Sequence, residues 1–310
     1  MSFNRIAVYG HRGRFSGQIV AALIESGAPI TVLHRPSSDT SGLPASVRKI
    51  EVDVFNADAL VKALRDIDIV LSLVGDEGVG REHGFVKAIP RTNVKLFVPS
   101  DLGLRYGEEG LKVPIIKKKE ELQEAVRQAG IPMTVVLIAN FAEFTLNCLA
   151  MGVDIRGNRL VYTGNAAKEK AAMCTGDYVA AAYVSIFASS PISTISHRAI
   201  GLCELAPTGE DIATVLKKKH VTGPEVITYS LEKANAELDI CHKSESPLGM
   251  AWYNRKIWGT GQLVTMLGSD IWELPGYQKV TLEELVLEEK IKPYRDLPDW
   301  VQQYLADSMF

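Results

Sequence analysis

The chain has 310 residues, enough for one large domain or for a large and a small one sharing an interface. Its 46% hydrophobic and 23% charged residues are ordinary for a globular protein. A formal net charge of −3 and two basic triplets without interleaved aromatics (Lys117-Lys118-Lys119 and Lys217-Lys218-Lys219) give no electrostatic footprint for nucleic acid. No apolar run reaches membrane-spanning length. The four cysteines are scattered without C-x-x-C spacing, and the first residues run straight into a strand, so free thiols and a cytoplasmic setting are expected.

The first apolar run, Ile6-Ala7-Val8-Tyr9, stops at Gly10 and passes through His11-Arg12-Gly13-Arg14-Phe15-Ser16-Gly17 into a helical pattern over 18–25. Strand, glycine-spaced turn and helix make the opening βα unit of a dinucleotide-binding sheet. Gly10 lets the backbone reverse, and Gly13 removes a Cβ so that a pyrophosphate can approach the main chain. Amides opening the helix, around Arg14, Phe15 and Ser16, then meet the phosphate at the positive end of the helix dipole. Ser16 adds a hydroxyl, and His11, Arg12 and Arg14 add positive charge.

A second buried strand over 30–34 ends in His34-Arg35-Pro36-Ser37-Ser38, with no carboxylate before Asp39. A site for NAD places an acid here for the ribose 2′-hydroxyl; a site for NADP needs an arginine for the 2′-phosphate. Arg35 supplies the planar fork and Ser37 supplies a donor beside His34, so the cofactor expected is NADP(H).

The pattern continues with a strand at 48–52, a helix at 57–64 and a strand at 68–75. The end of that last strand, Val74-Gly75, is where the middle of the cofactor would pass. A helix at 79–89 leads to a strand at 94–98 that closes on Pro99-Ser100-Asp101-Leu102-Gly103. A helix at 115–129 leads to a strand at 133–138 that closes on Ala139-Asn140-Phe141. Ser100 and Asn140, at the ends of neighbouring strands, are candidates to hold the nicotinamide ribose or a polar group of the substrate. Strand and helix alternate six times, the signature of an α/β, doubly wound parallel sheet whose ligands bind beyond the carboxyl ends of the strands.

From about residue 150 the rhythm breaks. A hairpin is expected around Arg156-Gly157-Asn158, then helices over 177–188, 208–219 (capped by Thr208), 231–240, much of 246–267, 281–289 and 300–305, with short strands at 198–203 and 226–229. The domains expected are 1–150, the dinucleotide-binding part, and 151–310, a smaller α/β substrate lobe that returns some elements to the first. Six scattered histidines lack carboxylate or cysteine partners at ligand spacing, so no metal site is expected. Tyr229-Ser230-Leu231-Glu232-Lys233 matches a Tyr-x-x-x-Lys pair in letters but lies far beyond the sheet strands, and is taken as chance.

Four stretches together resemble the NmrA-like group of atypical short-chain dehydrogenases, nearest its isoflavone reductase and phenylcoumaran benzylic ether reductase branch. They are the turn from Gly10 to Gly17, His34-Arg35-Pro36-Ser37, the run from Val94 to Gly103, and the run from Lys119 to Phe144. The resemblance implies a Rossmann fold, NADPH as hydride donor, and a catalytic lysine in the helix before a G-I/V-P-x-T strand start. Counted back from Gly130-Ile131-Pro132-Met133-Thr134, that lysine is Lys119. It also implies a small aromatic or heterocyclic substrate, met by Asp101 and Leu102, where the branch more often has Glu and Phe, and walled by Phe141 and Phe144. The bond reduced (C=C, C=O, benzylic ether or imine) is left open, as is a homodimer. The alternative the resemblance allows is a non-catalytic NADP(H) sensor acting through protein partners.

Overall fold

The computed structural model describes residues 3–244, 246–294 and 297–307; residues 1–2 and 308–310, the outer ends of the two expected domains, lie outside them. By contacts the chain divides into two units. The first contains residues 1–102, 115–136 and 179–200, the second 103–114, 137–178 and 201–310. The boundary expected at residue 150 thus falls inside the second unit, because the chain leaves the first unit after residue 102 and returns to it over 115–136 and again over 179–200.

In the first unit, strand β1 (Ile6–Tyr9) is buried at every position, as a central parallel strand requires. Helix α1 (Arg14–Glu25) carries Ile19, Val20 and Leu23 on its inner face. Strands β2 (Ile30–His34) and β3 (Arg48–Glu51), helix α2 (Ala57–Ala63) and strand β4 (Ile69–Ser72) follow. After α3 (His83–Ala88) and β5 (Leu96–Val98), all five strands lie parallel in the order β3-β2-β1-β4-β5. The order reverses between β1 and β4, the crevice where such sheets take their ligands. Helix α4 (Pro114–Gln128) precedes β6 (Thr134–Leu137), and the Phe97 amide, donating to the Pro132 carbonyl at 2.9 Å, ties the start of that strand to β5. Leu33, Leu60, Phe85, Phe97, Leu122 and Val126 belong to the core packed on this sheet.

A single helix is expected at 79–89. The chain instead makes a 3₁₀ turn over Asp76–Glu82, then α3, then a second turn over Ile89–Arg91. Gly78 and Gly84 lie so close to Val74 and to the Val54 carbonyl that neither has room for a Cβ, and Pro90 brings no amide.

In the second unit, β7 (Asn140–Phe141) opens helix α5 (Ala142–Asn147) and pairs in parallel with strand Met173–Cys174. The expected hairpin is present: Val153–Asp154 pairs antiparallel with Arg159–Thr163. Asp154 holds the turn by accepting the Gly157 amide at 2.8 Å and the Arg159 guanidinium. Helix Gly209–His220 starts at Thr208, whose hydroxyl and backbone are bonded reciprocally with Asp211. The helix expected through 246–267 stops at Gly259 and restarts at Gln262, since Gly261 takes φ +74 between the two.

Candidate functional site

The carboxyl edge of the first unit's sheet has two differently built parts. At the end of β1, Gly10 has φ +97, and a Cβ there would sit 2.7 Å from the Leu73 carbonyl carbon. Only glycine meets both demands, so the reversal expected of Gly10 is real and is enforced by the end of β4. Gly13 differs. Its φ of −68 is ordinary, and it caps a helix that begins at Arg14, four residues earlier than the pattern suggests. The Ser16 hydroxyl fills the space beside it, donating to the Gly13 carbonyl at 3.0 Å. That hydroxyl is therefore spent inside the turn. What remains is a helix N-terminus of 12 residues with the exposed Arg12 and Arg14 side chains around it and Phe15 half-buried.

At the end of β2, His34 turns a ring nitrogen to the Arg35 carbonyl at 3.1 Å, and Arg35 is exposed. Ser37 adopts φ +62, and the Ser38 amide closes a turn onto the Arg35 carbonyl at 3.1 Å. Tyr9 is buried at the end of β1, and burial raises its phenol against the opposing pull of the Arg81 and Arg35 charges. Arg81, which the sequence did not single out, thus faces the same strand end as Arg35.

The ends of β4 and β5 are built from buried polar groups. Ser100 donates its hydroxyl to the Val74 carbonyl at 2.6 Å, and its amide donates to Glu82 Oε1 at 2.9 Å. Gly75, just beyond Val74, has open space around it and starts the 3₁₀ turn. Lys119 Nζ donates to the Asp101 carbonyl at 2.7 Å, and Gln123, one turn on, donates to Asp101 Oδ2 at 2.8 Å. Of the basic triplet, Lys117 and Lys118 are exposed and only Lys119 is half-buried, on the face of α4 that also carries Leu122 and Val126. Leu102 takes φ +52, and its amide donates to the Val136 carbonyl at 3.1 Å, which turns the chain away after Asp101.

Glu82 has no exposed surface. Burial raises its carboxyl to about 7, further raised by the Asp101 charge, while the Ser100 amide, the Ser72 hydroxyl and the Lys119 charge pull it down. Tyr183, also fully enclosed, is raised by burial and by Asp101 and Glu82. Sequence reasoning missed this carboxylate, although a signal existed: Val79, Glu82 and Phe85 fall at spacings of three, an acid on an otherwise apolar face.

Asn140, Phe141 and Phe144 fall in the second unit. The sixth strand ends at Leu137, and Ala139 at φ +56 separates it from Asn140, which belongs to β7 and is not a strand-six terminus. The Asn140 amide contacts Met151 Sδ at 3.8 Å. The Phe141 carbonyl accepts the Thr145 hydroxyl at 3.2 Å, and Phe144 meets the Tyr294 ring edge-on at 5.5 Å. Trp252, Tyr253 and Trp258 are buried, the two indoles bonded to the Tyr304 hydroxyl and the Glu169 carbonyl. Tyr229 and Lys233 form a ring–cation contact at 4.8 Å, a local brace at the start of helix Leu231–Lys243. Among the described residues, no three His, Cys, Asp or Glu side chains cluster as a metal site, and no helix is long and apolar enough to cross a membrane.

A parallel sheet whose order reverses beside a glycine turn defines an α/β fold of the Rossmann class. The chain belongs to the NmrA-like family, whose model matches residues 2–256. It is 30% identical over 156 residues, 46% of this chain, to the isoflavone reductase homolog IRL of Zea mays. The chain spans about half the length of the curated relatives it matches. Among solved structures, the fold is similar to that of pinoresinol-lariciresinol and phenylcoumaran benzylic ether reductases, with TM-score 0.75, 19% identity, and coverage of 92% of this chain and 98% of that one. It is also similar to leucoanthocyanidin reductase of Vitis vinifera in its binary complex with NADPH, with TM-score 0.69, 18% identity, and coverage of 98% and 99%. Likeness at these identities concerns the fold; chemistry must be argued from the residues.

Proposed function

We propose that the chain is an NADPH-dependent reductase of a small aromatic or heterocyclic molecule, with Lys119 as its general acid. The observation that carries this reading is the Lys119 ammonium fixed on the Asp101 carbonyl at 2.7 Å, at the end of β5, in the same unit as the glycine turn. The residues suit the cofactor. Gly10 leaves the strand end bare, the amides opening α1 suit a pyrophosphate, and the exposed Arg35 suits a 2′-phosphate with no acid in the β2 turn before Asp39. His34, Ser37, Val74, Gly75 and Ser100 would complete the cofactor contacts, and Asp101 and Leu102 are the candidates in the same unit for substrate contact beyond them. NADPH, when bound, supplies the hydride.

Lys119 acts where negative charge develops on the substrate atom. Its ammonium stabilises that charge and donates a proton from Nζ, an effect worth about 10²–10⁴-fold in rate. The Asp101 carbonyl and Gln123 hold the lysine's surroundings still, which keeps the reorganisation cost of the step low. Similarity to an isoflavone reductase homolog, a eugenol synthase and a phenylcoumaran benzylic ether reductase supports a flat aromatic substrate. The test is NADPH consumption by the purified chain against enones, imines and benzylic ethers, with Lys119→Ala alongside. Turnover that the variant lacks would support the reading. A protein that binds NADP(H) and turns over nothing would favour a sensor instead.

A further inference from the structure

The cluster around Lys119 contains a second ionisable group that the proposed reaction does not use. Glu82 stands at the end of the 3₁₀ turn after β4, with no exposed surface. Its Oε1 accepts the Ser100 amide at 2.9 Å, and the next residue along, Asp101, offers its carbonyl to Lys119 at 2.7 Å. One peptide unit therefore separates the carboxyl from the atom that anchors the amine. The groups facing it come from every element around it: Ser72 from β4, the Ser100 amide and the Asp101 carboxylate from the segment after β5, Lys119 from α4, and Tyr183 from helix Gly176–Tyr183. Among these only Lys119 is a cation.

We propose that Glu82 is a positioning residue for Lys119: by accepting the Ser100 amide, its carboxylate holds in place the Ser100–Asp101 segment whose carbonyl anchors the amine. This rests on the reading of Lys119 as the acid. The bond from the Ser100 amide is made where no water competes for it, so its strength depends directly on whether the carboxyl is charged. Burial raises the carboxyl of Glu82 to about 7, so its hold on the Ser100 amide tightens as the pH passes through neutrality, and the Lys119 amine is kept more firmly on the Asp101 carbonyl.

The test needs neither cofactor nor substrate. The full chain is labelled with trace acetic anhydride across a pH series, and acetylation at Lys119 is read by mass spectrometry against Lys117 and Lys118 in the same molecule. In the native protein the Lys119-to-Lys117 ratio should step down as Glu82 ionises, near neutral pH. In Glu82→Gln, which keeps an oxygen for the Ser100 amide but only a neutral one, the step should vanish, and above neutrality the more loosely anchored Lys119 should label about 3–10-fold faster than in the native chain. Superimposable ratio curves for the two proteins would overturn the proposal. If the variant does not fold, the native curve decides alone, since a ratio without a step overturns it. An absence of reductase turnover would sink the reading of the reaction and leave this measurement standing.

Discussion

The two parts of the sheet's carboxyl edge achieve their order by opposite means. At the ends of β1 and β2 the shape comes from backbone: Gly10 at φ +97, a helix N-terminus and a turn at Ser37, with the charged Arg12, Arg14 and Arg35 left exposed. At the ends of β4 and β5 it comes from side chains: the buried Glu82, Ser100 and Asp101 and the half-buried Lys119, bonded to one another or to main chain. A backbone cradle with exposed charges suits a ligand that brings its own anions and water. A bonded polar network suits a proton donor that must be held in one place.

Substitutions separate the two parts, beginning with the largest effect. Lys119→Ala should lower kcat by about 10²–10⁴-fold while NADPH affinity stays within severalfold, measured by steady-state kinetics and calorimetry. Gly10→Ala strikes the other part. Its Cβ would meet the Leu73 and Val74 backbone at 2.7–2.8 Å, and its φ is unfavourable, so a loss of about 2–4 kcal/mol in denaturant unfolding is expected, with cofactor binding weakened too.

Glu82→Gln should act through pH. The native carboxyl is raised from 4.5 to about 7, so across that window the folded chain keeps a proton that the unfolded chain has shed. Native stability therefore falls as pH rises from about 4.5 to 7 and levels off above, and the variant, lacking this group, escapes the loss. The stability of Glu82→Gln relative to the native chain should climb by about 3 kcal/mol over that window, read from urea midpoints at several pH values. A pH-independent difference would contradict this.

Arg35→Ala should weaken NADPH by about 10–100-fold and NADH hardly at all, because one charged hydrogen-bonded contact is worth about 1.5–3 kcal/mol. Equal losses for both would remove Arg35 from the 2′-phosphate. Least affected should be Lys117→Ala. Its amine is exposed and 3.9 Å from Glu121, so changes in stability under about 0.5 kcal/mol and unchanged turnover are expected.

Strand and helix periods stood plainly in the sequence. β1, β2 and β4 are short apolar runs ending in glycine or polar residues, and Thr208 and the Gly157-Asn158 turn announced the helix and hairpin they make. Such signals are local, so one stretch of chain suffices to show them. Lys119 is reached only through the family resemblance, counted back from Pro132, and helix geometry then explains why it alone of its triplet turns inward.

The remainder depended on residues distant in the chain. That Gly10 is backed by Leu73 and that residue 150 lies within a unit both follow from which segments meet. Glu82 shows the limit most clearly. Eighteen positions before Ser100, it is one more acid in Arg81-Glu82-His83, and only folding removes its water and places Lys119 and Asp101 around it. Periodicity and turn chemistry are properties of neighbours in sequence, and the amino acids alone determined them. Desolvation and charge pairing are properties of neighbours in space, and the tertiary structure alone decided those.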